Sequence, residues 1–115
     1  MSGSRNDHLA REQRNQAVER EFVLAQRFPE WAVTALFYRA VHLVDAYLGS
    51  QPDHYTRNGR VNDALSRNAA LDYHDLYDQS KTARYDADRT VTWVDYQSAQ
   101  ALFATIDTDV RARLS

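Results

Sequence analysis

Two short stretches concentrate the residue types that recognise or cut phosphate esters. The first, HYTRNGR at residues 54–60, holds one histidine and two arginines, His54, Arg57 and Arg60. Arginine presents a planar fork of N–H donors that suits phosphate, and the ordinary pKa of histidine lies near neutral pH. Asn58-Gly59 is typical of a turn, so we expect the stretch to lie in a loop between helices. The loop therefore predicts an anion site; the alternative is a solvated, charged turn.

The second stretch, SKTARYD at residues 80–86, places Lys81, Arg84 and Tyr85 at the end of a predicted helix. Cations at a helix C-terminus complement the helix dipole. That explanation accounts for Lys81 and Arg84, but not for the aromatic side chain beside them.

The third candidate is the helix WAVTALFYRAVHLVDAYL, residues 31–48, which is apolar almost all the way round yet carries polar groups. Its polar face holds Trp31, Ala35, Tyr38, His42 and Asp45 at helical spacing. These groups could satisfy one another in the interior. Alternatively they form one wall of a site, with His42 near its working pKa and oriented by Asp45.

Composition limits the remaining chemistry. The 115-residue chain has a net charge of −2, which argues against a globally basic nucleic-acid binder but allows a local basic patch. There is no cysteine, no HExxH-type histidine pair and no glycine-rich phosphate loop, so we predict no metal and no cofactor. A polar N-terminus and the lack of a long apolar run predict a soluble, cytoplasmic protein that does not enter a membrane.

Hydrophobic periodicity predicts the elements that must position these groups. We expect helices at about 6–26, 31–48, 61–66, 71–85 and 93–114, the last capped by Thr90 or Thr92. Short connections between the long helices predict an all-α, up-and-down four-helix bundle with an extra short helix. We expect one domain over 1–115, with 1–5 flexible. The predicted core positions are Leu9, Ala10, Ala17, Phe22, Val23 and Leu24 in the first helix, Leu36, Ala40, Leu43 and Tyr47 in the second, and Ala99, Leu102, Phe103, Ile106 and Val110 in the last.

The order of three stretches, FYRAVHLVDAYL, then PDHYTR, then SKTARYD, resembles the HEPN superfamily of nucleotide-binding helical domains. The resemblance covers residues 31–86. It implies a helical bundle that commonly forms a homodimer. Many HEPN domains are metal-independent ribonucleases of toxin or phage-defence type. Others bind RNA or nucleotides without catalysis, or support a neighbouring nucleotidyltransferase. We therefore expect an antitoxin or a nucleotidyltransferase as a partner of this chain.

The resemblance also implies roles for residues of this chain. His54 would act as base or acid with Arg57 beside the phosphate, while Arg84 and Tyr85 would hold the phosphate or nucleotide. Arg60 is expected to bind phosphate on the ground of its residue type alone. Tyr38 and His42 would line the same site from the facing helix.

The arginine–histidine motif of active HEPN ribonucleases has one literal match, from Arg67 to His74. About one match is expected by chance in so arginine-rich a chain, so it carries no evidence. Three functions follow from these observations: an RNA- or nucleotide-binding domain, a metal-independent endoribonuclease, or a structural homodimerisation module.

Overall fold

The computed structural model describes residues 4–115, and every regular element in that part of the chain is an α-helix. The all-α prediction is therefore confirmed for these residues. The predicted flexible segment 1–5 lies mostly outside them, but Ser4 caps the first helix and Arg5 begins it. The helices are α1 (Arg5–Ala25), α2 (Pro29–Leu48), α3 (His54–Ala64), α4 (Arg67–Tyr85) and α5 (Trp93–Leu114).

Local sequence explains where the helices begin. Four of them start at a short polar side chain that accepts a backbone N–H of the first turn, which would otherwise lack a partner. These caps are Ser4, Asp53, Ser66 and Thr92. Of the two threonines predicted to cap the last helix, Thr92 does so, in a capping box with Asp95. The remaining helix, α2, begins at Pro29, whose missing N–H costs nothing in the first turn.

The predicted start of α3 is wrong: the helix begins at His54 rather than at residue 61, so the stretch 54–60 is helical. Asp53 caps it, with its carboxylate 2.7 Å from the backbone nitrogen of Thr56. Arg57 and Val61, one turn apart, are both buried. Their burial compensates for a glycine in the helix interior, which costs about 1 kcal/mol relative to alanine.

The predicted start of α4 at residue 71 is also wrong, because Ser66 caps the helix and Arg67 is its first residue. Both ends of the literal arginine–histidine match therefore lie on α4. Arg67 is exposed, and His74 hydrogen-bonds to Asn62 of α3 at 2.8 Å.

The long helices alternate in direction, as the bundle prediction requires. His8 near the start of α1 contacts His42 near the end of α2. The backbone N–H of Ser66, before α4, donates to Asp109 near the end of α5. The central helix is α2, which packs against α1, α4 and α5.

The core lies around α2, and the predicted core positions of α2 and α5 are confirmed. All of those positions are buried except Tyr47 and Leu102, which are half-buried. Phe37 and Tyr73 are the largest fully buried aromatic side chains.

The first helix departs from its prediction. Its buried residues are His8, Glu12 and Glu19 rather than apolar anchors. Of the predicted anchors, Leu9, Phe22 and Val23 are half-buried, whereas Ala10, Ala17 and Leu24 are exposed. The packing of α1 against α2 therefore depends on polar pairing as well as on apolar burial.

Candidate functional site

Three polar groups on the predicted polar face of α2 each form a hydrogen bond with a different helix. Tyr38 faces α4, His42 faces α1 and Asp45 faces α3. Trp31, predicted to belong to the same face, is 55% exposed at the start of the helix. The polar groups of this buried helix therefore tie three neighbouring helices to the centre of the bundle.

Asp45 and Arg57 form a buried, two-pronged ion pair. Arg57 Nε donates to Asp45 Oδ1 at 2.7 Å, and Nη2 donates to Asp45 Oδ2 at 2.9 Å. The same Nη2 also donates to the backbone oxygen of Pro52 at 2.7 Å. Only 4% of Arg57 and none of Asp45 is exposed. This geometry commits Arg57 to Asp45, so it differs from the free phosphate ligand that the sequence predicts.

The remaining end of Arg57 orients His54. Arg57 Nη1 lies 3.0 Å from His54 Nδ1. A guanidinium can only donate hydrogen bonds, so Nδ1 is the acceptor and carries no proton. Neutral His54 therefore keeps its proton on Nε2, which has no hydrogen-bond partner among residues 4–115. Asp45 and Arg57 thus fix the tautomer of this imidazole and leave an N–H free for a ligand.

The surroundings of His54 keep it neutral. Burial lowers the pKa of His54, and the positive charges of Arg57 and Arg84 lower it further. At neutral pH the side chain is consequently a hydrogen-bond donor without charge. It is poorly placed to accept a proton, because Nδ1 is occupied and Nε2 is already protonated.

Aromatic rings surround His54 on the α2 and α4 sides. Its ring centroid lies 6.0 Å from that of Phe37, 6.4 Å from that of Tyr38 and 5.8 Å from that of Tyr77. Phe37 is fully buried, whereas Tyr38 and Tyr77 are half-buried. The partly exposed tyrosines give this part of the surface flat faces of the kind on which a base can stack.

Arg84 brings positive charge to the same place. Its guanidinium carbon lies 5.6 Å from the rings of both Phe37 and Tyr38, and 5.0 Å from the ring of Tyr85. It donates to the Tyr38 hydroxyl at 3.1 Å and to both side-chain and backbone oxygens of Ser80 at 3.2 Å. All of these acceptors are neutral, and no described carboxylate forms an ion pair with Arg84. Its charge is therefore positioned but not neutralised.

A second cation lies next to this arrangement. Lys81 Nζ is 5.4 Å from the ring of Tyr77 and is exposed. Tyr85 is 74% exposed. We use the name His54 site for the surface formed by Tyr38, His54, Tyr77, Lys81, Arg84 and Tyr85.

The structure leaves three of the predicted site residues outside the His54 site: Arg57, which is committed to Asp45 and supports His54, and also Arg60 and His42. The exposed Arg60 donates to the Ser50 hydroxyl at 3.0 Å. His42 Nδ1 lies 3.1 Å from Nδ1 of the buried His8. Burial lowers the pKa of His42, and the nearby His8 lowers it further. One of these imidazoles must donate to the other, so the pair ties α1 to α2.

Sequence reasoning missed a second polar cluster, which joins α2 to α1 and α5. Arg39 donates to Glu12 Oε2 and to Glu19 Oε1, both at 2.7 Å. Arg111 donates to Glu12 Oε1 at 2.9 Å, and the Tyr96 hydroxyl donates to Glu19 Oε2. We call these five residues the Glu12–Arg39 network. Every carboxylate oxygen of its two glutamates has a donor.

A signal for this network was present in the sequence. Glu12 and Glu19 are two helical turns apart and so share one face of α1. That helix has few large apolar residues, so a polar face had to pack against α2. Arg39, which pairs with both glutamates, lies on the next helix, and local spacing in the sequence does not predict that pairing.

Among residues 4–115, no three histidine, aspartate or glutamate side chains are grouped so as to hold a metal ion. None of the helices in that range is long and apolar enough to span a bilayer. Comparisons with protein-family models, curated proteins and solved structures find no match for the chain.

Proposed function

We propose that the chain binds single-stranded RNA or a nucleotide at the His54 site. The observation that carries the proposal is the un-neutralised guanidinium of Arg84, held among aromatic rings and beside a neutral imidazole donor. A phosphate would accept from Arg84 and Lys81, and from the free N–H of His54. A base would stack on the exposed ring of Tyr85 or on the edge formed by Tyr38 and Tyr77.

What favours binding over catalysis is the state of His54. A ribonuclease needs a base that takes the 2′-hydroxyl proton, within hydrogen-bond reach of it. His54 presents a protonated Nε2 to the site, and its Nδ1 is occupied by Arg57. The metal-independent ribonuclease of toxin or phage-defence type is therefore our second candidate.

The proposal agrees in chemistry with what the HEPN resemblance implies. That membership stays a prediction, as do the homodimer and the antitoxin or nucleotidyltransferase partner that go with it. All six side chains of the His54 site come from one chain, so the proposed binding does not require a dimer.

The test compares the affinity of three proteins for a fluorescein-labelled single-stranded RNA, with AMP and ATP as competitors. The proteins are the wild type, Arg84→Gln and the matched control Arg67→Gln, an exposed arginine on the same helix. Losing a charge-assisted phosphate contact should weaken binding about tenfold or more. Arg67→Gln should bind like the wild type, and affinity should fall as salt rises. Equal affinity for wild type and Arg84→Gln would reject this site.

The ribonuclease candidate is tested in the same samples. The labelled RNA is incubated with EDTA and either the wild type or His54→Ala, and its length is followed. Intact RNA throughout, with binding retained, agrees with the binding proposal. Cleavage by the wild type that disappears in a folded His54→Ala variant would establish the second candidate instead.

A further inference from the structure

A separate pocket lies between α2, α4, α5 and the connection at residues 86–92. Its volume is about 220 Å³. Liquid water occupies about 30 Å³ per molecule, so the pocket has room for about seven waters. It is smaller than the roughly 300–1,000 Å³ typical of sites for drug-sized ligands. Its size is therefore that of a small metabolite.

The wall of this pocket carries charges of both signs. Asp78 of α4, Asp95 of α5 and Arg89 of the connection all line it. No ion pair within residues 4–115 joins Arg89 to either aspartate or to any other carboxylate. A carboxylate and a guanidinium that face one cavity without meeting can both be satisfied by a ligand that carries a cation and an anion.

The same pocket has an apolar wall and an amide without a partner. Val33, which is almost fully buried, and Val91 supply the apolar part. Gln79 also lines the pocket, and its Oε1 is buried with no hydrogen-bond donor among the described residues. A buried acceptor left unpaired costs about 1–3 kcal/mol. Rotation of the amide toward a bound ammonium group would remove that cost.

We propose that this pocket binds a small zwitterion, namely a free α-amino acid with a short side chain. Its ammonium group would donate to Asp78 and to the Gln79 amide oxygen, and its carboxylate would accept from Arg89. The side chain would lie against Val33 and Val91. The pocket shares no residue with the His54 site, so this proposal is independent of the proposed function.

The test is isothermal titration calorimetry of the wild-type protein with the free α-amino acids. For each that binds, the N-acetyl derivative and the carboxyl amide are titrated as well, since each removes one charge. Binding by at least one amino acid is expected to saturate. Each derivative should bind about tenfold more weakly or worse, because a hydrogen bond to a charged group is lost.

Variants then locate the site. Asp78→Asn and Arg89→Gln should each weaken binding about tenfold. The controls Asp75→Asn and Arg67→Gln replace exposed residues of α4 outside the pocket and should leave it unchanged. No saturable binding of any amino acid would overturn the proposal. So would undiminished affinity of both derivatives, which is measured on the wild type and does not depend on a variant folding.

Discussion

The two faces of α2 bury polar groups in opposite ways. On one face, Arg39 enters the Glu12–Arg39 network, in which every carboxylate oxygen accepts a hydrogen bond. On the other, Asp45 pairs with Arg57, and Arg57 donates a hydrogen bond to His54. His54 lies at the edge of a partly exposed aromatic surface. The first cluster is closed, whereas the second ends in groups that still have hydrogen bonds to donate.

This difference distinguishes polar groups that satisfy one another inside the fold from polar groups that remain available to a ligand. A buried charge must be paired, and a closed network leaves nothing with which to bind a ligand. The Asp45–Arg57 ion pair lies next to the His54 site and holds His54 in place. The groups that remain available are the neutral imidazole N–H and the cation of Arg84, neither of which meets a carboxylate in the described residues.

We expect the largest loss of stability when the Glu12–Arg39 network is broken. Arg39→Ala leaves Glu12 with only the half-exposed Arg111 and leaves Glu19 with only Tyr96. Removing one partner of a buried ion pair typically costs about 3–5 kcal/mol. We expect a loss of that size in the free energy of unfolding, measured by urea denaturation, with the RNA affinity of the folded protein unchanged.

The control for that experiment is Arg14→Ala, an exposed arginine of α1, which should change stability by no more than about 0.5 kcal/mol. A loss for Arg39→Ala that was no larger than the control's would show that the network adds nothing to stability. A parallel loss of RNA affinity would show that the two faces of α2 are not separate in function.

The next effect distinguishes the two clusters most directly. Asp45→Asn leaves the buried Arg57 without its countercharge, at a cost of about 3 kcal/mol. Unlike Arg39→Ala, it should also weaken RNA binding, because the Asp45 carboxylate no longer holds Arg57 within hydrogen-bonding distance of His54 Nδ1. Stability is followed by urea denaturation and affinity by fluorescence anisotropy, at a temperature where the variant is folded.

In that comparison the decisive result is the difference between the two readouts. If Asp45→Asn lowered stability and left affinity at the wild-type value, the ion pair would be structural only, like the Glu12–Arg39 network. NMR gives an independent check, because it identifies which ring nitrogen of His54 carries the proton. In the wild type we expect the proton on Nε2.

Sequence patterns predict the positions of the helices better than they predict which side chains pair with one another. The stripe from Ala99 to Val110 has one dominant periodicity, and it packs as predicted. The stretch at residues 54–60 looked like a loop because Gly59 suggested a turn, yet Asp53 and Val61 outweigh that signal. Helix propensity is weak evidence where burial favours the helix.

The site itself was only partly visible in the sequence. Tyr38, His54 and Arg84 were candidates on separate stretches, and the fold brings them together. The pairing of Asp45 with Arg57 was not predicted, because each residue has a plausible local reason to be where it is. Only the position of α3 in the folded chain, which brings Arg57 to Asp45, shows that they satisfy each other.

A smaller effect concerns pH, and again the two faces should differ. The network consists of carboxylates, guanidinium groups and a phenol, whose ordinary pKa values lie far from neutral. The other face holds His42 and His54, whose pKa values are both lowered, mainly by burial. Below the ordinary histidine pKa of 6.5 the unfolded chain therefore binds more protons than the folded one, and stability falls as pH falls.

The measurement is the free energy of unfolding at about pH 7.5 and at about pH 5.5, on either side of the ordinary histidine pKa. His42→Gln should show less loss on acidification than the wild type. The groups that bear on His42 are His8 and Arg11 of α1, Asp45 of α2 and Arg57 of α3. Identical pH dependence in the two proteins would place the acid sensitivity elsewhere.

The smallest effect tests the boundary of the open cluster. Arg60 is exposed, and among residues 4–115 its side chain hydrogen-bonds only to Ser50. The sequence predicts it as a phosphate ligand together with Arg57. Arg60→Ala should change stability by no more than about 0.5 kcal/mol and should leave RNA affinity close to that of the wild type. An affinity loss as large as that of Arg84→Gln would instead extend the binding surface along α3. His54 would then lie in the middle of the proposed binding surface, between Arg84 and Arg60, rather than at the edge of that surface.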